Sequence, residues 1–398
     1  MALIAVCLGH HPGTVSQVST RLYKVGPDPM AELRLVADDL TGALDTAAEF
    51  VGLAGPILTY WAGALPSKLP STVALDSGTR ELSQRDALAV IGWLAPELVR
   101  TGLAYKKLDS LLRGNTVAEI AACFRLGAWP HCVVAPAFPY QGRITRGSRQ
   151  FAKGRDGWSA VSDDLVVALA AHGLPVQQGR PDAELRAGVS VFDAENECDL
   201  HRVVAIARRA KAPVLWCGSG GLARALARGT DPNVSSAVRA PALGLFGSDQ
   251  AVTARQLAAC REHWLPLSDI GARSAALVRE RLARTGAALV SFDLPLGLGR
   301  GEAALRIAGA ITDLARELVP PGTLIVAGGE TLRAACVALG AVALEVRGQV
   351  APGLPRSVLR GGRWDGVEVI SKSGAFGGDS LLRDLLERNG LAEQTVDR

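Results

Sequence analysis

The stretch Leu33–Ala48, LRLVADDLTGALDTAA, decides how the rest of this 398-residue chain is read. Leu33, Leu35, Val36 and Ala37 form a short apolar run of the kind a buried strand needs, and Asp38 and Asp39 break it. Thr41-Gly42 follows; Ala43, Leu44, Ala47 and Ala48 then start a helical pattern with Thr41 or Asp39 as its cap. Two carboxylates at the carboxyl end of a strand, just before a helix, lie where open α/β sheets bind ligands. A lone Asp at such a place is usually a helix cap. Two adjacent ones, followed by a glycine that permits close backbone approach, point towards a site.

Working outward, short apolar runs alternate with helical stretches. The pattern predicts strands over Ile57–Tyr60, Thr72–Leu75, Leu103–Lys106, Cys132–Ala135, Val189–Phe192 and Val214–Cys217, with helices over Ser83–Arg100, Thr116–Leu126 and Asp199–Lys211. Gly229–Ser236 is a linker by composition. Beyond it the alternation restarts, with strands over Leu243–Phe246, Ala288–Phe292, Leu324–Ala327 and Val367–Ser371. Helices are expected over Ala251–His263, Ala303–Leu318, Thr331–Leu339 and Ser380–Glu387. The fold class is α/β: two α/β domains with largely parallel sheets and the active site in the inter-domain cleft. The expected division is an appended or poorly ordered segment 1–31, a first domain 32–230, a linker 231–241 and a second domain 242–398. Pro27-Asp28-Pro29 directly before Met30 suggests Met30 as the natural start.

Composition narrows the function. Hydrophobic residues make up 48% and charged residues 21%, which is globular rather than disordered. The net charge of +4 is small and spread out, so no nucleic-acid partner is expected. No apolar run approaches the ~18 residues of a membrane span, and the opening lacks a signal-peptide pattern, so the expected place is the cytoplasm. Seven scattered Cys without a CxxC pair, and six His without HExxH spacing, argue against a disulfide framework, a zinc site and a His-held catalytic metal.

Three further sets of residues carry chemistry. YKKLDSLLRGN at 105–115 places Lys106, Lys107, Asp109 and Arg113 at a strand exit, where Arg and Lys can grip a carboxylate. APAFPYQGR at 135–143 follows another apolar run, and Arg143 is its ligand candidate. In the second half glycines stand at successive strand exits: Gly247-Ser248, Gly328-Gly329-Glu330-Thr331, the stiff turn Pro352-Gly353-Leu354-Pro355, and Lys372-Ser373-Gly374. Glycine lets backbone N–H groups approach phosphate oxygens, and a helix N-terminus favours negative charge. Together these make nucleotide phosphate binding the expectation, although no GxxxxGK[ST] is present. Gly218-Ser219-Gly220-Gly221-Leu222-Ala223 mimics a dinucleotide fingerprint, but no acid-ended strand lies about 20 residues on. These glycines are read as tight strand–helix packing, and a dehydrogenase is set aside.

From about residue 32 to the end the chain resembles the four-carbon acid sugar kinase family. ADDLTGALD at 37–45, KKLDSLLRGN at 106–115 and APAFPYQGR at 135–143 look like its sugar-acid-binding domain. FGSDQAVTARQ at 246–256, GGETL at 328–332, PGLP at 352–355 and KSGAFG at 372–377 look like its nucleotide-binding domain. Leu111 and Leu332 depart from the family, which usually has Thr and often has Ser there. The resemblance implies ATP- and Mg²⁺-dependent phosphorylation of the terminal hydroxyl of threonate, erythronate or a 3-oxo-tetronate. The partners are then that small acid and ATP, with a homodimer left open. ATP would contact Ser248, Gly328, Gly329, Glu330, Thr331, Gly353 and Gly374; Mg²⁺ would bridge its phosphates without assigned protein ligands. Asp38, Lys106, Lys107, Arg113 and Arg143 are the substrate-binding candidates, with Lys107 or Arg113 on the carboxylate. Asp39, Asp109 and Lys372 are the catalytic candidates: an Asp orients the hydroxyl and Lys372 neutralises developing charge. The rival readings are a kinase of 4-hydroxythreonate or a branched oxo-acid, and a sensor that binds acid and nucleotide without turnover.

Overall fold

The computed structural model describes residues 32–391 except 100, 101, 155, 211, 248, 249, 269–271, 295 and 296. The expectations for segment 1–31, including the start at Met30, lie outside the described residues. The first half runs β1 (Leu33–Ala37), α1 (Leu40–Ala54), β2 (Ile57–Trp61), β3 (Val73–Asp76), α2 (Gln84–Leu98), β4 (Leu103–Lys107), α3 (Thr116–Leu126) and β5 (His131–Ala135). It continues through β6 (Arg143–Arg146), β7 (Arg149–Gly154), β8 (Gly157–Ala160), α4 (Leu165–Ala171), β9 (Val176–Gln178) and β10 (Gly188–Val191). The half closes with α5 (Glu197–Ala207), β11 (Val214–Gly218) and α6 (Gly220–Leu226). The second half runs β12 (Ala242–Phe246), α7 (Ala251–Ala259), β13 (Trp264–Leu267), α8 (Ala272–Thr285), β14 (Ala287–Phe292) and α9 (Arg300–Glu317). It ends with β15 (Thr323–Ala327), α10 (Gly329–Ala338), β16 (Ala343–Ala351), β17 (Leu354–Arg360), β18 (Glu368–Lys372) and α11 (Leu381–Glu387).

The α/β alternation and the largely parallel pairing are as the sequence pattern predicts, with one difference of architecture. Among the described residues the strands of both halves form a single fifteen-stranded sheet, ordered β13-β14-β12-β15-β18-β17-β16-β2-β3-β1-β4-β11-β5-β10-β9. The seam is antiparallel: Leu344, Glu345 and Val346 of β16 pair with Thr59, Leu58 and Ile57 of β2. The β16–β17 hairpin that makes the seam was hidden by Gly348, Pro352, Gly353 and Pro355, which read as strand breakers. Two register shifts, between Val346 and Gly348 and between Gln349 and Ala351, absorb Arg347 and Val350, so that Gly348 pairs with Arg356 and Pro355 with Gln349 within the ladder. Leaving the linker region, Asn233 Nδ2 donates to Arg347 O (2.7 Å) and Arg239 N to Thr323 Oγ1 (2.8 Å), so this stretch is packed along the second half. The segment after Arg143 is a separate antiparallel sheet, β6-β7-β8.

Helix α1 joins the halves. Asp39 is its cap: Gly42 N donates to Asp39 Oδ1 (2.9 Å), and Thr41 Oγ1 to Asp39 Oδ2 (2.6 Å). Gly55, at φ 74°, ends it by donating to Val51 O. Leu40, Ala43, Leu44, Ala47, Ala48, Phe50 and Val51 are all buried, the all-round apolar surface of a helix enclosed in a core. That core is continuous across the seam, running from Leu35 and Val133 to Leu344, Val346, Leu243 and Val326. Cys123, Cys132, Cys217, Cys260 and Cys336 are buried and in no disulfide. No described helix is long and apolar enough to cross a membrane.

Candidate active site

The parallel strands of both halves deliver their carboxyl ends to one cleft of about 1700 Å³. Its first-half wall is built around Arg80, which the sequence reading did not single out. Arg80 sits on the loop after β3, which is tied to β1 by Ser77 N and Ser77 Oγ donating to Ala37 O (both 2.8 Å). Its guanidinium donates to both oxygens of Asp38 (2.8 Å each) and to Asp39 (2.7 Å), and it lies 3.7 Å from Asp109. Burial alone would raise Asp38; Arg80, backed by Lys107 and Lys106, holds it below the ordinary carboxylate range. Asp109 likewise resists burial because Arg113 hydrogen-bonds it (2.7 and 2.9 Å) and Arg80 and Lys107 add positive charge, so it stays well below the usual value. Gly114, at φ 75°, packs directly over the Arg80 backbone, where a β-carbon would meet Arg80 O at 2.9 Å. The Gly-Asn pair therefore clasps the Arg80 loop, with Asn115 Nδ2 donating to Leu82 O (2.9 Å).

The predicted basic residues separate into two groups. Lys107, Arg113 and Arg143 line the cleft with Asp39 and Asp109. Lys107 Nζ makes no hydrogen bond or ion pair within the described residues, and Gly42 leaves room for it: a β-carbon there would stand 2.9 Å from the ammonium. Arg143 Nη1 donates to Gln141 O and Gly142 O, which aims the guanidinium along the cleft wall. Lys106 and Asp38 are not brought to the cleft wall. Lys106 points into the opposite side of the sheet and pairs with Glu119 at 2.7 Å, both side chains 1% exposed. Adjacent strand residues face opposite sides, so only one lysine of the pair could enter the site. Asp38 is 5% exposed and is occupied by Arg80.

Asp45, on α1 just beyond the cap, also lines the cleft. Its Oδ1 is enclosed without a hydrogen-bond partner in the described residues. Burial raises its carboxyl to about 6; Lys107 and the Gly353 backbone pull it down, and Asp39 pushes it up. Its signal lay in the last letter of ADDLTGALD. The signal for Arg80 was the polar DSGTR run at a strand exit.

The second-half wall is made of backbone. Gly328, at φ 97°, hands β15 over to α10, whose first turn has no side-chain cap and so presents free N–H groups. Gly328, Gly329, Glu330, Thr331, Gly353 and Gly374 all line the cleft. Gly247 is pressed against Thr331, whose Oγ1 would lie 2.7 Å from an added β-carbon. Ser248 lies outside the described residues. Lys372, at the end of β18, is 1% exposed; its Nζ donates to Ser373 O (3.0 Å), Thr253 Oγ1 (3.2 Å) and Gly374 O (3.2 Å). No carboxylate pairs with it among the described residues, and burial pulls its ammonium down to about 8. Of the two departures, Leu111 lines the cleft, whereas Leu332 is wholly buried in the core.

The walls meet at several points, Gly353 against Gln141 among them. A β-carbon on Gly329 would lie 3.6 Å from Asp39 Oδ2, and Arg333 of α10 pairs with the buried Asp76 at the end of β3. No group of three or more His, Cys, Asp or Glu gathers as a metal-ligand set among the described residues. The GSGG stretch is tight packing: β-carbons on Gly218 and Gly221 would meet Ala135 O at 2.8 Å and Ala137 O at 2.4 Å.

Comparison with known proteins falls on the same two walls. Residues 33–172 match the sugar-binding N-terminal domain family, and residues 243–382 match the nucleotide-binding C-terminal domain family. A D-threonate kinase of Cupriavidus necator is 34% identical, covering 87% of this chain and 95% of that protein. A 3-oxo-tetronate kinase of Methylobacterium radiotolerans is 30% identical, covering 89% and 98%. A crystal structure of a Haemophilus influenzae protein superposes with a TM-score of 0.66 at 19% identity, covering 89% of this chain and all of that one, and so shares the fold.

Proposed function

The chain belongs to the four-carbon acid sugar kinase family and is a phosphotransferase acting on a hydroxyl group; we propose that it phosphorylates the terminal hydroxyl of a threonate, erythronate or 3-oxo-tetronate with ATP. The observation that carries this reading is the pairing of opposite walls in one cleft, cationic side chains on one side and capless helix, glycine corners and an unpaired lysine on the other. Residues 32–230 would bind the acid and 242–398 the nucleotide, joined by 231–241.

The acid's carboxylate would be received by Lys107 and Arg80, with Arg113 and Arg143 along its path. Asp38, Asp39 and Asp109 hold Arg80 rigid and charged, so the acid meets a guanidinium already fixed in place. The triphosphate suits the second wall, since the uncapped N–H groups of α10 and Lys372, which pairs with no carboxylate among the described residues, offer donors. Lys372 would compensate charge that develops on the transferred group. Mg²⁺ would be held mainly by phosphate oxygens and water, since Asp38, Asp39 and Asp109 are engaged by arginines. It would supply further charge compensation.

The test is release of ADP from ATP and Mg²⁺ across a panel of D- and L-threonate, erythronate, 3-oxo-tetronates, 4-hydroxythreonate and branched oxo-acids. ADP release with a four-carbon acid is expected; none with any member of the panel would overturn the reading.

A further inference from the structure

We propose that Asp45 accepts the proton of the attacking hydroxyl, and that the Asp38-Asp39 pair and Asp109 do not. The inference rests on the kinase reading above. A general base must have an open oxygen within reach of the hydroxyl it serves and must be basic enough to take a proton near working pH. Asp38, Asp39 and Asp109 are spent on Arg80, Arg113 and the α1 cap, with their oxygens occupied. Asp45 differs on each count. It lines the same cleft with its side chain partly exposed, and no described side chain hydrogen-bonds or ion-pairs with its carboxylate; Oδ1 is enclosed, so Oδ2 is the oxygen offered to the cleft.

Its surroundings come from both halves of the chain. Gly220 of α6 approaches Oδ2, at 3.6 Å from where a β-carbon would stand, and Phe138 closes the space beside Gly220. The backbone of Gly353, at the tip of the β16–β17 hairpin, faces Asp45 from the second half. The charged and titratable groups around it are Lys107 and Tyr105 from β4, and Asp39 and Glu49 from α1 itself. Arg224 of α6 acts on Glu49. With burial and Asp39 opposing Lys107 and Gly353, the carboxyl sits at about 6, ionised at neutral pH but more basic than Asp38 and Asp109, which arginines hold below the ordinary range.

The step balances. The terminal hydroxyl oxygen of the acid forms the new bond to the γ-phosphorus, and the bond from that phosphorus to the β–γ bridging oxygen breaks. ADP leaves with the electron pair, and the hydroxyl proton passes to Asp45 Oδ2 and then to solvent. Lys107, whose charge acts on Asp45, is free to hold the acid's carboxylate and keep the hydroxyl turned towards Oδ2.

Three measurements test this on the full chain. The wild-type kcat should fall below a midpoint near pH 6, and Asp45→Asn should lower kcat about 10²–10⁴-fold and abolish that acidic limb. Calorimetric affinities of Asp45→Asn for the acid and for ADP should stay within about threefold, and Asp45→Glu should recover part of the lost rate. Turnover of Asp45→Asn within tenfold of wild type, or an acidic limb that survives in the variant, overturns the assignment. If Asp45→Asn does not fold, the wild-type profile decides: a flat kcat between pH 5 and 8 overturns it, and a limb near 6 matched by a carboxyl titration of the free enzyme supports it. Should the wild type release no ADP from any acid, the kinase reading itself fails, an outcome distinct from an active wild type with an indifferent Asp45.

Discussion

The two walls of the cleft are built by opposite means, and in the proposed function each would hold an anion. The first wall uses side chains: Arg80 is locked among Asp38, Asp39 and Asp109, and Lys107 stands open beside them. The second uses main chain, with the uncapped start of α10, the glycine corners and one lysine whose hydrogen bonds among the described residues go to carbonyls and a hydroxyl. A wall of paired side chains is rigid and specific for a small acid, but costs heavily when one charge is removed. A wall of backbone accepts any phosphate of the right shape and depends on glycine conformation. The wall holding Arg80 should therefore respond to charge changes through stability, and the wall holding Lys372 through rate.

The largest effect is expected at the centre of the first wall. Arg80→Ala leaves buried carboxylates without their cation, which should cost about 3–5 kcal/mol of stability by urea unfolding and abolish measurable ADP release. A variant of full stability would break the contrast.

Lys372→Met should lower turnover about 10²–10³-fold while leaving stability unchanged or higher, because no buried carboxylate loses a partner. A pH signature accompanies it. The folded-state value of about 8 lies below the ordinary 10.5, so the unfolded chain binds more protons between them, and wild-type stability should rise with pH across that window. Urea midpoints of Lys372→Met should lack this rise.

Gly328→Ala places a β-carbon at φ 97°, which should cost about 1–3 kcal/mol of strain and weaken ADP binding by calorimetry without changing affinity for the acid. Equal loss of both ligands would blur the division between walls.

The smallest change concerns α1, which belongs to both. Burial, with Asp45 as a neighbouring like charge, raises Glu49 from 4.5 to about 8. A raised carboxyl contributes stability that is present below its unfolded value and is lost as pH climbs towards the folded one. Glu49→Gln should therefore flatten the fall in urea midpoint between pH 4.5 and 8.

Much of this was legible in residue order. The strand exit at Asp38-Asp39, the helix after it, the basic cluster at 106–113 and the glycine corners at 328 and 374 stand where the pattern put them. Their local signals, an apolar run ended by charge or glycine, do not depend on distant partners. What was not legible depended on distance. Lys106 and Lys107 are equivalent in a string, and only the sheet decides that Lys107 faces the cleft while Lys106 turns to Glu119. Arg80 looked like one arginine among many until three aspartates from β1 and the exit of β4 closed on it. The seam was missed because Gly348, Pro352, Gly353 and Pro355 carry breaker signals that bulges and a hairpin turn override.

The sequence by itself determined the α/β alternation and the two sets of charged and glycine-rich strand exits, because periodicity and strand-exit chemistry are local properties of the chain. Only the tertiary structure decided that both sets serve one cleft, with the strands fused into one sheet through β2 and β16. It also decided which carboxylate stays open: ion pairing and burial are set by neighbours far away in the chain, and they engage Asp38, Asp39 and Asp109 while leaving Asp45 Oδ1 without a partner among the described residues.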